Sequence, residues 1–376
     1  MNAAATQLEQ RTLQAERTQK VFITDCEGPI SKNDNAYELT EHFIPNGSAL
    51  FALLSKYDDV QADIIEKLGY KAGDTLKLIL PFLRAFGVTN EKMENFSTKN
   101  ILLVPGAKDM LQFVRSIMPS FMVSTSYQQY MQALCNAVDF PLKNVYCTEL
   151  NLDKYQISRK ETEKLRCLKE EIVSMPMIKI PENALSINDF SERDRQTIQR
   201  LDEVFWKKIS DMESSKMLRE VNPVGGFEKA KAVQEIVTNV GVKSYDVMYV
   251  GDSITDIQSF QLVGDNKGLT VSFNGNSYAV REAEIAVLSD NAAVTSVLAE
   301  VFSHYGRKGV LELVREWSYS GLGQYCSPIL QSQMSQLYPK TLPKIEIVTS
   351  ANKKRLMKES TAFRKTIRGE AVGGLG

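Results

Sequence analysis

Histidine, paired cysteines and long apolar runs are scarce or missing in this sequence. Only two histidines, His42 and His304, occur in 376 residues. Any mechanism built on a histidine base or a histidine-rich metal centre is therefore short of candidates. The five cysteines (Cys26, Cys135, Cys147, Cys167 and Cys326) are scattered and include no C-x-x-C pair. That argues against a disulfide framework or a zinc site and fits a reducing cytoplasm. No apolar run reaches the roughly 18–20 residues that span a bilayer. The opening MNAAATQLEQRTLQAERTQK lacks the apolar stretch of a signal peptide. Charge is balanced, 45 Lys plus Arg against 46 Asp plus Glu, so no global field draws the chain to nucleic acid or membrane. No G-x-G-x-x-G opens a strand–helix unit, which weighs against a dinucleotide-binding site.

What is present is an ordinary globular composition, 43% apolar and 24% charged, long enough for a large core and more than one domain. Residues 1–19 read as a polar arm. KVFIT reads as a short buried strand. Residues 34–100 are mostly helical, with apolar residues three and four apart in NAYELTEHF and ALFALLSKYDDVQADIIEKLGY. PSFMVSTS is a second strand, followed by the amphipathic helix YQQYMQALCNAV. NVYCTELNL is a third strand. Residues 153–222 break the alternation with charged helical stretches punctuated by Pro176 and Pro181. From 223 the alternation resumes: a helix in FEKAKAVQEIVTNVGV, strands in DVMYVGD and GLTVSFNGN, and EIAVLSD as an expected edge strand. These features predict an α/β protein with a parallel sheet covered on both faces. Its core takes in residues 20–33, 101–152 and 223–320, with helical insertions at 34–100 and 153–222 and a C-terminal extension at 321–376. From Lys344 the extension is basic, and its GGLG end is expected to be loose.

Four fragments share one placement. Asp25 ends the first strand, Ser124 the second and Asp252 the strand DVMYV, while Lys229 opens the helix feeding that last strand. In an open parallel sheet the ligand crevice lies at the carboxyl ends of the strands. Carboxylates, a lysine, a hydroxyl and a helix N-terminus gathered there suit a divalent cation plus a phosphate.

DCEGP, MVSTS, Lys229 in GGFEKAKAV, and VGDSITD resemble, in order, the four motifs of the haloacid dehalogenase superfamily of aspartate-dependent phosphatases. DCEGPISKNDNAYEL resembles archaeal-type hydrolases of that family, and VSFNGNSYAVREAEIAVLSDN resembles its phosphoserine-phosphatase-like members. The resemblance implies a doubly wound, Rossmann-like core, with the two insertions standing where the family carries caps. It implies a Mg²⁺-dependent phosphatase acting on a small phosphorylated metabolite. Asp25 would be the nucleophile that becomes an aspartyl-phosphate. Glu27 stands where the family usually has a second Asp as general acid/base, and its backbone carbonyl would bind the metal. Ser124, with Thr125 as its competitor, would bind phosphoryl oxygens. Lys229, rather than Lys231, would neutralise charge. Asp252 would ligate Mg²⁺, and Asp256 would support either the metal or the lysine.

Glu27 is the departure from the pattern, since glutamate is one methylene longer. The alternative reading is a non-catalytic protein of this fold that binds a phosphorylated ligand or serves as an accessory subunit. Cys26 lies between two acids, but on a strand end its side chain points away from theirs, so it reads as a packed core thiol.

Overall fold

Seven strands form one sheet in the order β3-β2-β1-β4-β5-β6-β7. They are β1 Val21–Thr24, β2 Ser120–Tyr127, β3 Val145–Thr148, β4 Val247–Gly251, β5 Leu269–Phe273, β6 Ile285–Leu288 and β7 Lys344–Ile347. All neighbours pair in parallel except β6 and β7. The computed structural model describes residues 19–182 and 184–375, so the expected arm at 1–19 lies outside the described residues apart from Gln19.

The apolar runs of the central strands follow from their burial on both faces. In β1, Val21 and Ile23 pack with Val247 and Tyr249 against Ala232, Val233, Ile236 and Phe260, from helices Phe227–Val240 and Ile257–Asp265. Phe22 faces the other way, toward helices Ala107–Ile117, Gln128–Val138 and Ala293–Arg315. Helices therefore cover both faces of the sheet, as the strand–helix alternation predicted, and the sheet is parallel except at its β7 edge.

Two local expectations are corrected. EIAVLSD was expected at the edge, but β6 lies between β5 and β7. β7, KIEI, is only four residues long, with Ile345 buried and the other three half-buried, too short for a readable period of two. The GGLG end, expected to be loose, is packed as far as Leu375, the last described residue. The basic C-terminal stretch forms β7, the helix Lys353–Arg368 and a final turn Glu370–Gly373, and Leu356, Ser360, Arg364 and Leu375 are buried.

The two inserted stretches share one apolar cluster. Leu50, Leu54, Tyr57, Phe82 and Leu83 of the first meet Leu165, Ile172, Leu201 and Phe205 of the second. The Tyr57 hydroxyl donates to Asp202 at 2.7 Å and accepts from Trp206 Nε1 at 2.9 Å. Two helices of the second stretch, Arg159–Ser174 and Glu192–Glu203, start at serine caps. Ser158 accepts from Glu161 N and Ser191 from Asp194 N, satisfying N–H groups the helix itself leaves unpaired. Among the described residues no helix is long and apolar enough to cross a membrane.

Candidate active site

Asp25 follows β1, and Asp252 follows β4, its neighbour in the sheet. The register pairs Thr24 with Val250, and the Asp25 N–H donates to the Val250 carbonyl at 2.8 Å. Two acids far apart in sequence are thereby delivered to one rim. Asp25, Asp252 and Asp256 each bring a carboxylate oxygen within 4.8 Å of the others. Beneath them lies Lys229, fully buried, its ammonium 2.6 Å from Asp25 Oδ2 and 2.8 Å from Asp256 Oδ1.

Each acid is held differently. Asp25 Oδ1 accepts from the Cys26 N–H at 2.6 Å. Asp256 Oδ1 also accepts from the Tyr249 hydroxyl at 2.7 Å, and its Oδ2 from the N–H groups of Asp252 and Ser253 at 2.9 and 3.0 Å. Four donors thus occupy Asp256, which ties Lys229 to the turn after β4. Burial pushes the Asp25 carboxyl up to about 7, against the pull of Lys229 and with help from Asp256 and Asp252. For Lys229, burial opposes the charge, but Asp25 and Asp256 outweigh it and hold its pKa above the usual lysine value. Lys231 instead lines a separate surface groove.

Glu27 also lines the cavity above Asp25. Its Oε1 accepts from the Asn35 N–H at 2.7 Å, at the start of helix Asn35–Phe43. Burial, then the nearby Asp34, raises its pKa well above the carboxylate range. The longer side chain thus ends on a helix N-terminus, where the Asn35 N–H opposes that rise. Cys26 is buried in the core cluster, as its strand position implies.

The hydroxyl run behaves differently from expectation. β2 continues through the serines and threonine to Tyr127, with an irregular register after Val123. Ser124 is therefore inside the strand, where its Oγ accepts from the Ser126 N–H at 3.2 Å. It does not line the cavity; Thr125 does, and the Thr125 Oγ1 is buried without a partner. The following helix starts only at Gln128, and none of its first turn lines the cavity.

Two residues that sequence reasoning missed stand at the centre of the site. Arg364 and Arg368, on helix Lys353–Arg368, both bond the Asp252 Oδ2, Arg368 at 3.1 Å. Arg368 also donates to the carbonyls of Lys32 and Asn33. One turn apart in a basic tail, they carried no signal beyond their charge. Gly28 lets the chain after β1 cross directly over Asp252. Its φ is +104°, and a Cβ there would overlap the Asp252 carboxylate. The cavity is small, about 90 Å³, and Asp34, Asp58, Asp59, Gly73 and Leu375 also line it.

Residues 113–300, half of the chain, match the family of haloacid dehalogenase-like hydrolases. The chain belongs to that family. The matched span carries Thr125, Lys229, Asp252 and Asp256, and β1, which Asp25 follows, lies in the sheet between two matched strands. A solved structure, gene product AF1437 from Archaeoglobus fulgidus, is 27% identical and superposes with a TM-score of 0.77 over 95% of this chain and 99% of that one. A substrate-bound phosphoserine phosphatase complex is 13% identical, with a TM-score of 0.44 over 75% of this chain and 98% of that one. No curated protein matches the chain.

Proposed function

We propose that this hydrolase is a Mg²⁺-dependent phosphatase acting on small phosphorylated metabolites through an aspartyl-phosphate on Asp25. The observation that carries the reading is the buried series Asp25–Lys229–Asp256 with Asp252 beside it, at the carboxyl ends of two adjacent parallel strands. Phosphoryl transfer needs positioning and charge neutralisation more than elaborate chemistry, and this set supplies both. The donors fit a hard cation. Asp25 and Asp252 would hold it, and Asp256, saturated by four donors, would orient Lys229 instead. When bound, Mg²⁺ would neutralise charge on the phosphoryl oxygens and favour the ionised Asp25.

In the first step an Asp25 carboxylate oxygen forms a bond to phosphorus. The ester P–O bond breaks, and the leaving oxygen takes a proton from Glu27, whose burial raises its pKa. In the second step Glu27, now ionised, takes a proton from water as its oxygen attacks phosphorus. The bond to Asp25 breaks and inorganic phosphate leaves. Lys229 stays charged throughout. The helical unit would act as a cap, because Asp58, Asp59 and Gly73 from it line the same cavity as Asp25. The small cavity favours a compact substrate. A cytoplasmic setting fits five cysteines that are all free.

The test is hydrolysis of p-nitrophenyl phosphate with Mg²⁺ and after chelation. Turnover that needs the cation and disappears in Asp25→Asn is expected. Activity surviving in Asp25→Asn would remove the aspartyl-phosphate route. One observation favours the second reading, a non-catalytic phospho-ligand binder: Arg364 and Arg368 already supply positive charge at Asp252. Phosphate binding with no turnover under any divalent cation would select it.

A further inference from the structure

The two arginines of helix Lys353–Arg368 do not use their donors equally. Arg368 engages Nε on the Lys32 carbonyl, Nη1 on Asp252 and Nη2 on the Asn33 carbonyl. Arg364 is 3% exposed. Its Nη1 meets both the carboxylate and the backbone carbonyl of Asp252, but its Nε is buried with no partner. Thr125 Oγ1 is buried and unpartnered too. Both residues line the cavity that Asp25 borders.

A guanidinium N–H removed from water with nothing to receive it is unfavourable, so a fixed one in a cavity wall implies an acceptor that belongs there. The wall carries six carboxylates, Asp25, Glu27, Asp34, Asp58, Asp59 and Asp252, and none of them accepts from that Nε. A cationic N–H and a hydroxyl beside a reactive carboxylate form a donor set for an oxyanion with several oxygens. In the cation-free site the contacts with the Asp252 carboxylate and carbonyl hold the guanidinium plane in place.

We propose that Arg364 is a ligand-binding residue of this active site, donating its Nε–H to an oxygen of a tetrahedral oxyanion: the phosphoryl group of a monoester, or the inorganic phosphate it releases. The proposal rests on the phosphatase reading of the site. It adds a positive charge in cis, carried by the C-terminal helix, where Lys229 is already divided between two carboxylates.

The experiment is calorimetric titration of the full chain with inorganic phosphate and with orthovanadate, in the presence of Mg²⁺. Wild type is compared with Arg364→Lys and Arg364→Ala, and Mg²⁺ affinity is measured in separate titrations. Losing one charge-assisted hydrogen bond is expected to weaken oxyanion binding about tenfold or more. Mg²⁺ affinity should stay the same or rise, because Asp252 loses a competing cation. Arg364→Lys keeps the charge but not the Nε–H, so it reports even if Arg364→Ala fails to fold. Unchanged oxyanion affinity in Arg364→Lys would overturn the proposal. So would an equal fall in Mg²⁺ affinity, which would mean that Arg364 acts only through Asp252. Wild type that binds phosphate through Arg364 yet hydrolyses nothing would sink the phosphatase reading alone. Wild type that hydrolyses p-nitrophenyl phosphate but binds oxyanions without regard to Arg364 would sink this inference alone.

Discussion

Asp25 and Lys229 form a buried ion pair of 2.6 Å, and the same ammonium holds Asp256 at 2.8 Å. One cation thus serves two carboxylates that contact almost no water. Removing it would leave both uncompensated. Lys229→Ala is expected to lower the free energy of unfolding by about 3–5 kcal/mol, the cost of breaking a buried pair from one side. The groups act as a unit, so Lys229→Ala and Asp25→Asn combined should cost clearly less than their sum. Urea denaturation of the four proteins in this cycle checks it, and additive effects would contradict a shared pair.

Glu27→Gln keeps an acceptor for the Asn35 N–H but cannot give up a proton. Loss of a general acid costs about 10²–10⁴ in rate where the leaving group needs protonation. The variant is therefore expected to lose far more activity on alkyl phosphates than on p-nitrophenyl phosphate, whose leaving group departs as a stable anion. Steady-state kinetics on both substrates measure the ratio, and equal losses would argue against Glu27 as the acid.

Gly28→Ala places a methyl group against the Asp252 carboxylate in a backbone conformation that side chains disfavour. A destabilisation of more than about 1 kcal/mol is expected from the backbone alone. Displacement of Asp252 should also weaken Mg²⁺ binding. Calorimetry and thermal unfolding read the two effects separately. A variant with wild-type cation affinity would show that this close approach does not position Asp252.

Asp58 is buried in the cavity wall, and burial, then Asp74, pushes its carboxyl up to about 8 from an ordinary 3.8. As pH rises past 4 the unfolded chain sheds this proton while the folded chain keeps it. Folding therefore loses stability between about pH 4 and 8, at up to about 1.4 kcal/mol per pH unit for this group. Asp58→Asn should still accept the Gly73 N–H that Asp58 holds at 2.8 Å. Its melting temperature should gain on wild type as pH rises from 5 to 8. A difference that stays constant with pH would refute the shift.

The sequence by itself determined the elements whose signals are local. Doubly buried strands must be apolar throughout, so KVFIT and DVMYV were visible, and the acids ending them marked one rim of a parallel sheet. Lys229 was legible because it stands at the start of the helix that feeds β4. The choice between Ser124 and Thr125 was not, because it depends on how far β2 runs past its apolar stretch and on a register irregularity. Only the tertiary structure joined the two inserted stretches into one helical unit, through side-chain packing that neither periodicity encodes. Only the tertiary structure brought Arg364 and Arg368 back across the fold to Asp252. A charged residue on a helix looks the same in sequence whether it faces water or a buried carboxylate. The difference lies in what the rest of the chain places opposite it.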